Sequence, residues 1–152
     1  MTSLGLREKV IAEKLALIQK MEDGIKLLPV ESYEAFIADM RMSAAAESYI
    51  RRALEALMDL GRHILAKGFG RAVAEYKEIA RELRDKGVLN QTDAGTMTML
   101  AGYRNRMVHV YQDVTPRELY EICCHQFEDV KRIAERLRRW TNEHPEMIDA
   151  SL

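Results

Sequence analysis

Apolar residues recur at spacings of three and four along most of the chain, the period of a helix with one buried face. Val10, Lys14, Leu17, Met21, Ile25 and Leu28 define a first helix from Ser3 to Leu28, with Ser3 as its N-cap and Pro29 ending it. Phe36, Met40, Ser43, Glu47, Ile50, Leu54, Leu57, Gly61 and Ile64 form a near-heptad seam from Ser32 to Lys67. A straight rod over that span would be about 54 Å long. A single domain of this size rarely needs such a rod, so a kink or partial exposure is expected at its N-terminal end. Gly68-Phe69-Gly70 breaks the pattern, and Val73, Tyr76, Ala80 and Leu83 give a third helix from Arg71 to Lys86. Gly87 is placed as its left-handed cap. A fourth helix opens at Asn90 or Thr92. The fifth opens at Thr115-Pro116-Arg117-Glu118, with an N-cap, a proline at the first helical position and a capping-box glutamate. Leu119, Ile122, Gln126, Val130, Ile133, Leu137 and Trp140 form its stripe, which ends near Thr141, before His144-Pro145.

The pattern predicts an all-α chain of about five helices in one domain, residues 1–141, followed by a flexible tail, 142–152. Strand-forming clusters are missing from it. Hydrophobic residues make up 47% and charged residues 31%, which suits a globular chain rather than a disordered one. A net charge of -1 gives no bulk attraction to polyanions, so nucleic acid would need a local basic patch. Cys123 and Cys124 are neighbours, badly placed to bridge each other on a helix, and read as reduced packing residues. The N-terminal residues lack the apolar core of a signal peptide, and no apolar run approaches the ~20 residues that span a membrane. These features point to a cytoplasmic protein with no membrane partner.

One stretch departs from the scaffold pattern: Arg104-Asn105-Arg106-Met107-Val108-His109-Val110-Tyr111. At ~100° per residue, Arg104, Val108 and Tyr111 lie on the face that continues Met97, Leu100 and Ala101. Arg104 therefore sits where an apolar residue is expected, and a charge there must be paired or open to a polar ligand. If the helix persists, Asn105 and His109 stack on the adjacent face. The set suits metal-independent RNA cleavage. Histidine can accept the 2′-OH proton or supply one to the leaving 5′-oxygen. Arginine can grip the scissile phosphate, and asparagine can orient either group. One histidine is thin for both proton steps, but two chains meeting along this helix supply two. On spacing alone, an arginine and a histidine satisfied at a helix end is the simpler reading.

Gly102-Tyr103-Arg104-Asn105-Arg106-Met107-Val108-His109-Val110-Tyr111 resembles the R-x-x-x-x-H-x-Y signature of HEPN-domain toxins, specifically the HepT family. The resemblance extends to the five helices, the Asp59-Leu60-Gly61-Arg62-His63-Ile64 segment and the short helix before the signature. It implies a HEPN-like antiparallel bundle that forms a homodimer along the motif-bearing helix, with the cleft at the interface. It also implies an RNA substrate, Arg104 and His109 as the catalytic pair, and Asn105 assisting. HepT toxins pair with a minimal nucleotidyltransferase antitoxin of the MntA type, which attaches AMP to the signature tyrosine, here Tyr111. A nucleotide there would fill the RNA cleft and add negative charge beside His109. Val110 stands where many relatives carry glycine, and as a β-branched residue it would let the helix run on to Tyr111. The alternative is a non-catalytic HEPN-like module that binds a nucleotidyltransferase or a nucleotide.

Other candidates carry less. Asp59 and His63 can pair as helix neighbours. Glu47 can pair with Arg51 or face Arg104 across the bundle. Lys131, Arg132, Arg136, Arg138 and Arg139 make the end of the fifth helix basic, either as a solvated face or as a surface that steers RNA. His125 lacks metal-ligand spacing, and His144 belongs to the tail. No Glu-x-x-His pair, glycine-rich phosphate loop, or serine or cysteine nucleophile beside a base occurs, so neither cofactor nor metal is expected.

Overall fold

The computed structural model describes residues 5–109 and 114–150. In chain order these form α1 (Glu8–Lys26), α2 (Tyr33–Ile37), α3 (Met40–His63), α4 (Tyr76–Asp85), α5 (Gln91–Val108), α6 (Pro116–Glu121) and α7 (Phe127–Glu143). Wide π-type turns follow α3 at Ile64–Gly68 and join α6 to α7 at Ile122–Gln126. The architecture is an all-α bundle, with a single parallel bridge between Leu6 and Ile148 among the described residues.

The first helix begins at Glu8, and the proposed cap Ser3 lies outside the described residues. Met21, Ile25 and Leu28 are buried as the stripe requires. Nearer the N-terminus Ile11 and Ile18 take the buried positions instead of Val10 and Leu17. The long second helix is broken at its N-terminal end. Ser32 caps α2 by accepting the Ala35 N–H (3.1 Å), and Asp39 starts α3 by accepting the Arg41 N–H (2.9 Å). The break lets Phe36 turn fully into the core while Met40 stays 84% exposed. Beyond it the seam holds, with Ile50, Leu54, Leu57, Gly61 and Ile64 all buried.

The third helix is shorter than its apolar pattern, starting at Tyr76 rather than Arg71. The Arg62 guanidinium donates to the Val73 and Ala74 carbonyls at 3.1 and 2.9 Å. This satisfies those acceptors outside a helix, while Gly70 turns the chain with φ of 66°. Val73 still reaches the core. At the other end Gly87 has φ of 77°. The Gly87 and Val88 N–H groups bond the Arg84 and Leu83 carbonyls, the paired bonds of a Schellman cap.

α3 is the central helix. A Cβ added at Gly61 would lie 2.9 Å from Ile79 Cγ2 and 3.1 Å from both Leu83 and Met97. Glycine there lets α4 and α5 close onto α3. α6 and α7 are one helix interrupted by the wide turn, which sets Phe127 five positions after Ile122 and returns Phe127 to the buried face. The capping box at Thr115 and Glu118 is formed. Residues 147–149, expected within a loose tail, are tied to Leu6 instead. Leu6 donates to the Met147 carbonyl (2.7 Å) and accepts from Asp149 (2.8 Å), because Leu6 is fully buried and its backbone groups need partners. No helix among the described residues is long and apolar enough to cross a membrane.

Candidate functional site

α5 begins at Asn90, whose side chain accepts the Asp93 N–H at 2.7 Å. Its first turns are anchored by Ala94, Met97, Leu100 and Ala101, all buried against the core. The helix then runs out of the core, and exposure rises through Arg104 to Val108, which is 47% exposed. The site is built where this helix leaves the bundle.

Arg104 continues the buried stripe and its side chain is 24% exposed. It is held on three sides. Its Nη2 lies 3.1 Å from Glu55 Oε2 on α3. Its Nη1 donates to Asn105 Oδ1 at 3.4 Å. Its guanidinium carbon stands 4.6 Å from the Tyr76 ring centroid on α4. Among the described residues no acceptor reaches the buried Nε–H.

Glu55 ends a charged ladder. Arg51 donates to both Glu47 Oε1 and Glu55 Oε1 at 3.1 Å. Glu47 thus pairs with Arg51, and Glu55, two helical turns further on, is the carboxylate that meets Arg104. A second network supports the Tyr76 ring. Its hydroxyl donates to Asp59 Oδ1 (3.2 Å), and Arg62 lies 5.0 Å from the ring centroid on its way to the Val73 and Ala74 carbonyls. Burial first, and then Asp59, raise the Tyr76 pKa, so it stays a neutral phenol. Asp59 also faces Lys14 and Arg62. The expected Asp59–His63 pair is replaced: His63 Nε2 accepts the Arg7 N–H at 3.0 Å.

α5 ends at Val108, and His109 is extended with φ of -90° and ψ of 128°. The continued helix envisaged through Val110 is therefore not formed at His109, and Asn105 and His109 are not stacked as helix neighbours. Val110 and Tyr111 lie outside the described residues. Below this end, Arg106 makes a two-pronged ion pair with Glu118 at 2.7 and 2.9 Å. That pair ties the last turn of α5 to the capping box of α6.

Two open clefts flank this helix end. One, about 390 Å³, is lined by Arg62, Ala74, Glu75, Tyr76, Arg104, Asn105 and His109. The other, about 500 Å³, is lined by Lys77, Met99, Tyr103, Asn105, Arg106 and His109. Asn105 and His109 form the wall between them. The three sequence candidates that can be described, Arg104, Asn105 and His109, therefore share one concave, cation-rich surface. Glu55, Tyr76 and Arg62 were not singled out by the sequence reading. For Glu55 the signal was the polar i, i+4 series Glu47, Arg51, Glu55, Asp59 running beside an apolar seam.

The sequence model described as Ribonuclease HepT-like matches residues 11–137. The tRNA nuclease HepT of Aphanizomenon flos-aquae (strain 2012/KM1/D3) is 25% identical over 112 residues, 73% of this chain and 76% of that protein. The tri-AMPylated Shewanella oneidensis HEPN toxin, solved in complex with MNT antitoxin, superposes with a TM-score of 0.77 at 19% identity, covering 86% of this chain and 97% of that one. The Bacillus subtilis cytosolic protein YutE, of unknown function, superposes with a TM-score of 0.74 at 19% identity, covering 97% of both chains. At such identities the structural likeness speaks for the fold.

Proposed function

This chain belongs to the HepT-like ribonuclease family, and on that premise we propose that it is a metal-independent endoribonuclease toxin whose cleavage site is the Arg104–Asn105–His109 cleft. The observation that carries the reading is the setting of Arg104. Its guanidinium is held and aimed by Glu55 and Tyr76, yet its cleft remains open beside His109. A phosphate entering there meets the remaining Nη hydrogens of a guanidinium already fixed in place.

In the reaction the substrate 2′-oxygen attacks the adjacent phosphorus and the bond to the 5′-oxygen breaks. The products are a 2′,3′-cyclic phosphate and a free 5′-hydroxyl. One imidazole takes the 2′-OH proton and a second gives a proton to the departing 5′-oxygen. Each chain contributes one His109, so a homodimer along the exposed end of α5 supplies both. Arg104 stabilises the charge on the phosphate oxygens, and Asn105 orients the group beside it.

Regulation follows the same surface. The Shewanella relative is described as a tri-AMPylated toxin in complex with its antitoxin. By analogy a nucleotidyltransferase of the MntA type adds AMP to Tyr111, two residues beyond His109. The added phosphate would occupy the cleft that RNA needs.

The test is RNA cleavage by the purified protein in EDTA, compared with His109→Ala and Arg104→Ala. Cleavage by the wild type that is lost in both variants supports the reading. An inert wild type, or variants that cut equally well, favours the non-catalytic binding module. Tyr111→Phe should cut RNA while gaining no mass on co-expression with the nucleotidyltransferase.

A further inference from the structure

A separate cleft of about 420 Å³ lies beyond the C-terminal end of α4, against the end of α7. Its volume falls in the ~300–1,000 Å³ range of small-molecule sites. Its wall combines two chemistries. Phe69, Trp140 and His144 supply aromatic rings, and Lys86, Arg136 and Arg139 supply positive charge, with Glu143 the one carboxylate in the lining. The Trp140 and His144 rings stack with centroids 4.3 Å apart and 21° between planes. Phe69 packs at 5.7 Å from Trp140, and the Lys86 ammonium lies 5.8 Å from the Phe69 centroid. Trp140 is buried, whereas Phe69 and His144 are partly buried.

The basic character continues along α7. Arg132, Arg136 and Arg139 recur at i, i+4 and i+7, one face over about 10 Å. Arg132 and Arg136 both lean on Asp93, at 3.5 and 3.3 Å, so one buried carboxylate serves two guanidinium groups.

We propose that this cleft is an accessory subsite for single-stranded RNA, taking one nucleobase against the Phe69 and His144 rings, which Trp140 backs, and the neighbouring phosphates on Lys86, Arg136 and Arg139. A bare anion site has no use for three clustered aromatic rings, and an apolar ligand has none for three cations. Rings with flanking cations are the pattern by which a strand is held without reading its sequence. The extension of the charge along α7 fits a chain of phosphates better than a free nucleotide. The length of α4, about 15 Å, separates this cleft from Tyr76 and Arg104, so the subsite anchors the strand away from the scissile bond. The inference rests on RNA being the substrate of the Arg104 cleft.

Trp140 is the one tryptophan of the chain, so its fluorescence reports on this cleft alone. The full-length protein is titrated with a 2′-O-methyl RNA dodecamer, which cannot be cut, and with AMP and tripolyphosphate. The dodecamer should change Trp140 emission with a salt-dependent Kd. The Lys86→Glu/Arg139→Glu double variant should weaken binding by about tenfold and flatten its salt dependence. Phe69→Leu should weaken it roughly fivefold or more. With cleavable RNA the same variants should raise KM and leave kcat unchanged. Unaltered binding by the double variant overturns the subsite, as does equal affinity for AMP (a free-nucleotide site) or tripolyphosphate (a bare anion site). If the wild type cuts no RNA but the dodecamer still binds through Lys86 and Arg139, the ribonuclease reading fails and the subsite stands.

Discussion

Glu55 and Arg104 stand 49 residues apart in the chain and meet at 3.1 Å between α3 and α5. Glu55 also holds Arg51, so it fixes the direction of the Arg104 guanidinium without closing it off. Under the proposed function it is a positioning residue. Glu55→Gln keeps the shape and removes the charge. Under the proposed function it should lower kcat for RNA cleavage roughly tenfold with little change in KM, while Arg104→Ala costs about 10²–10³-fold. Arg104→Lys should recover little, since an ammonium cannot reproduce the fork. Because the pair is about a quarter exposed, the melting shift of Glu55→Gln should stay within ~1 kcal/mol. A large loss of stability with unchanged kcat would make Glu55 a scaffold residue only.

Tyr76 separates ring from hydroxyl. Tyr76→Phe retains the face beneath Arg104 and loses the bond to Asp59, for about 1 kcal/mol of stability with cleavage nearly intact. Tyr76→Leu also removes the cation–π contact, valued at about 0.5–2 kcal/mol, and should slow cleavage by roughly two- to thirtyfold. Equal activities of the two variants would show that the ring does not position Arg104.

Glu118 serves both the α6 cap and Arg106. The Arg106 guanidinium chiefly, and then the Thr115 backbone and hydroxyl, hold its carboxyl below the usual glutamate value. A carboxyl with a depressed folded-state pKa stabilises the fold above its unfolded value, near pH 4.3. That contribution fades as pH falls through the lower folded value. Acid unfolding of Glu118→Gln should therefore be less steep below about pH 4.3. Thr115→Ala should cost about 1 kcal/mol by thermal melting, at neutral as well as acid pH.

His63 predicts a second pH step. Burial, and then Lys67, Arg7 and Lys14, lower its pKa, and its neutral Nε2 must accept the Arg7 N–H at the start of α1. The unfolded chain therefore binds the proton first. Stability is complete above about pH 6.5 and declines as pH falls toward the lower folded value. His63→Gln, which keeps an acceptor without a titrating group, should remove that decline in denaturant melts between pH 5 and 8. An identical pH profile for wild type and variant would exclude His63 as its source.

Helix periodicity made most of the scaffold legible. The buried ends of α1, α3, α4 and α7 follow stripes that can be read from spacing, and Thr115-Pro116-Arg117-Glu118 and Gly87 mark their boundaries because capping chemistry is local. The misplaced boundaries have nonlocal causes. Arg62 holds Val73 and Ala74 out of α4 from eleven and twelve residues away, and the buried Leu6 captures residues 147–149.

The sequence by itself determined the helical class, the anomaly of Arg104 on an apolar stripe, and the grouping of Arg104, Asn105 and His109 near one helix end. Those properties depend on residue order over a few turns. Only the tertiary structure decided that Glu55 rather than Glu47 meets Arg104, that Tyr76 lies beneath it, and that His109 leaves the helix to wall two clefts. The reason is geometric. A 3.6-residue period says which face a side chain occupies. The height at which α3, α4 and α5 dock is set by packing, here by the close approach at Gly61 to Ile79, Leu83 and Met97, and that height selects the carboxylate Arg104 meets.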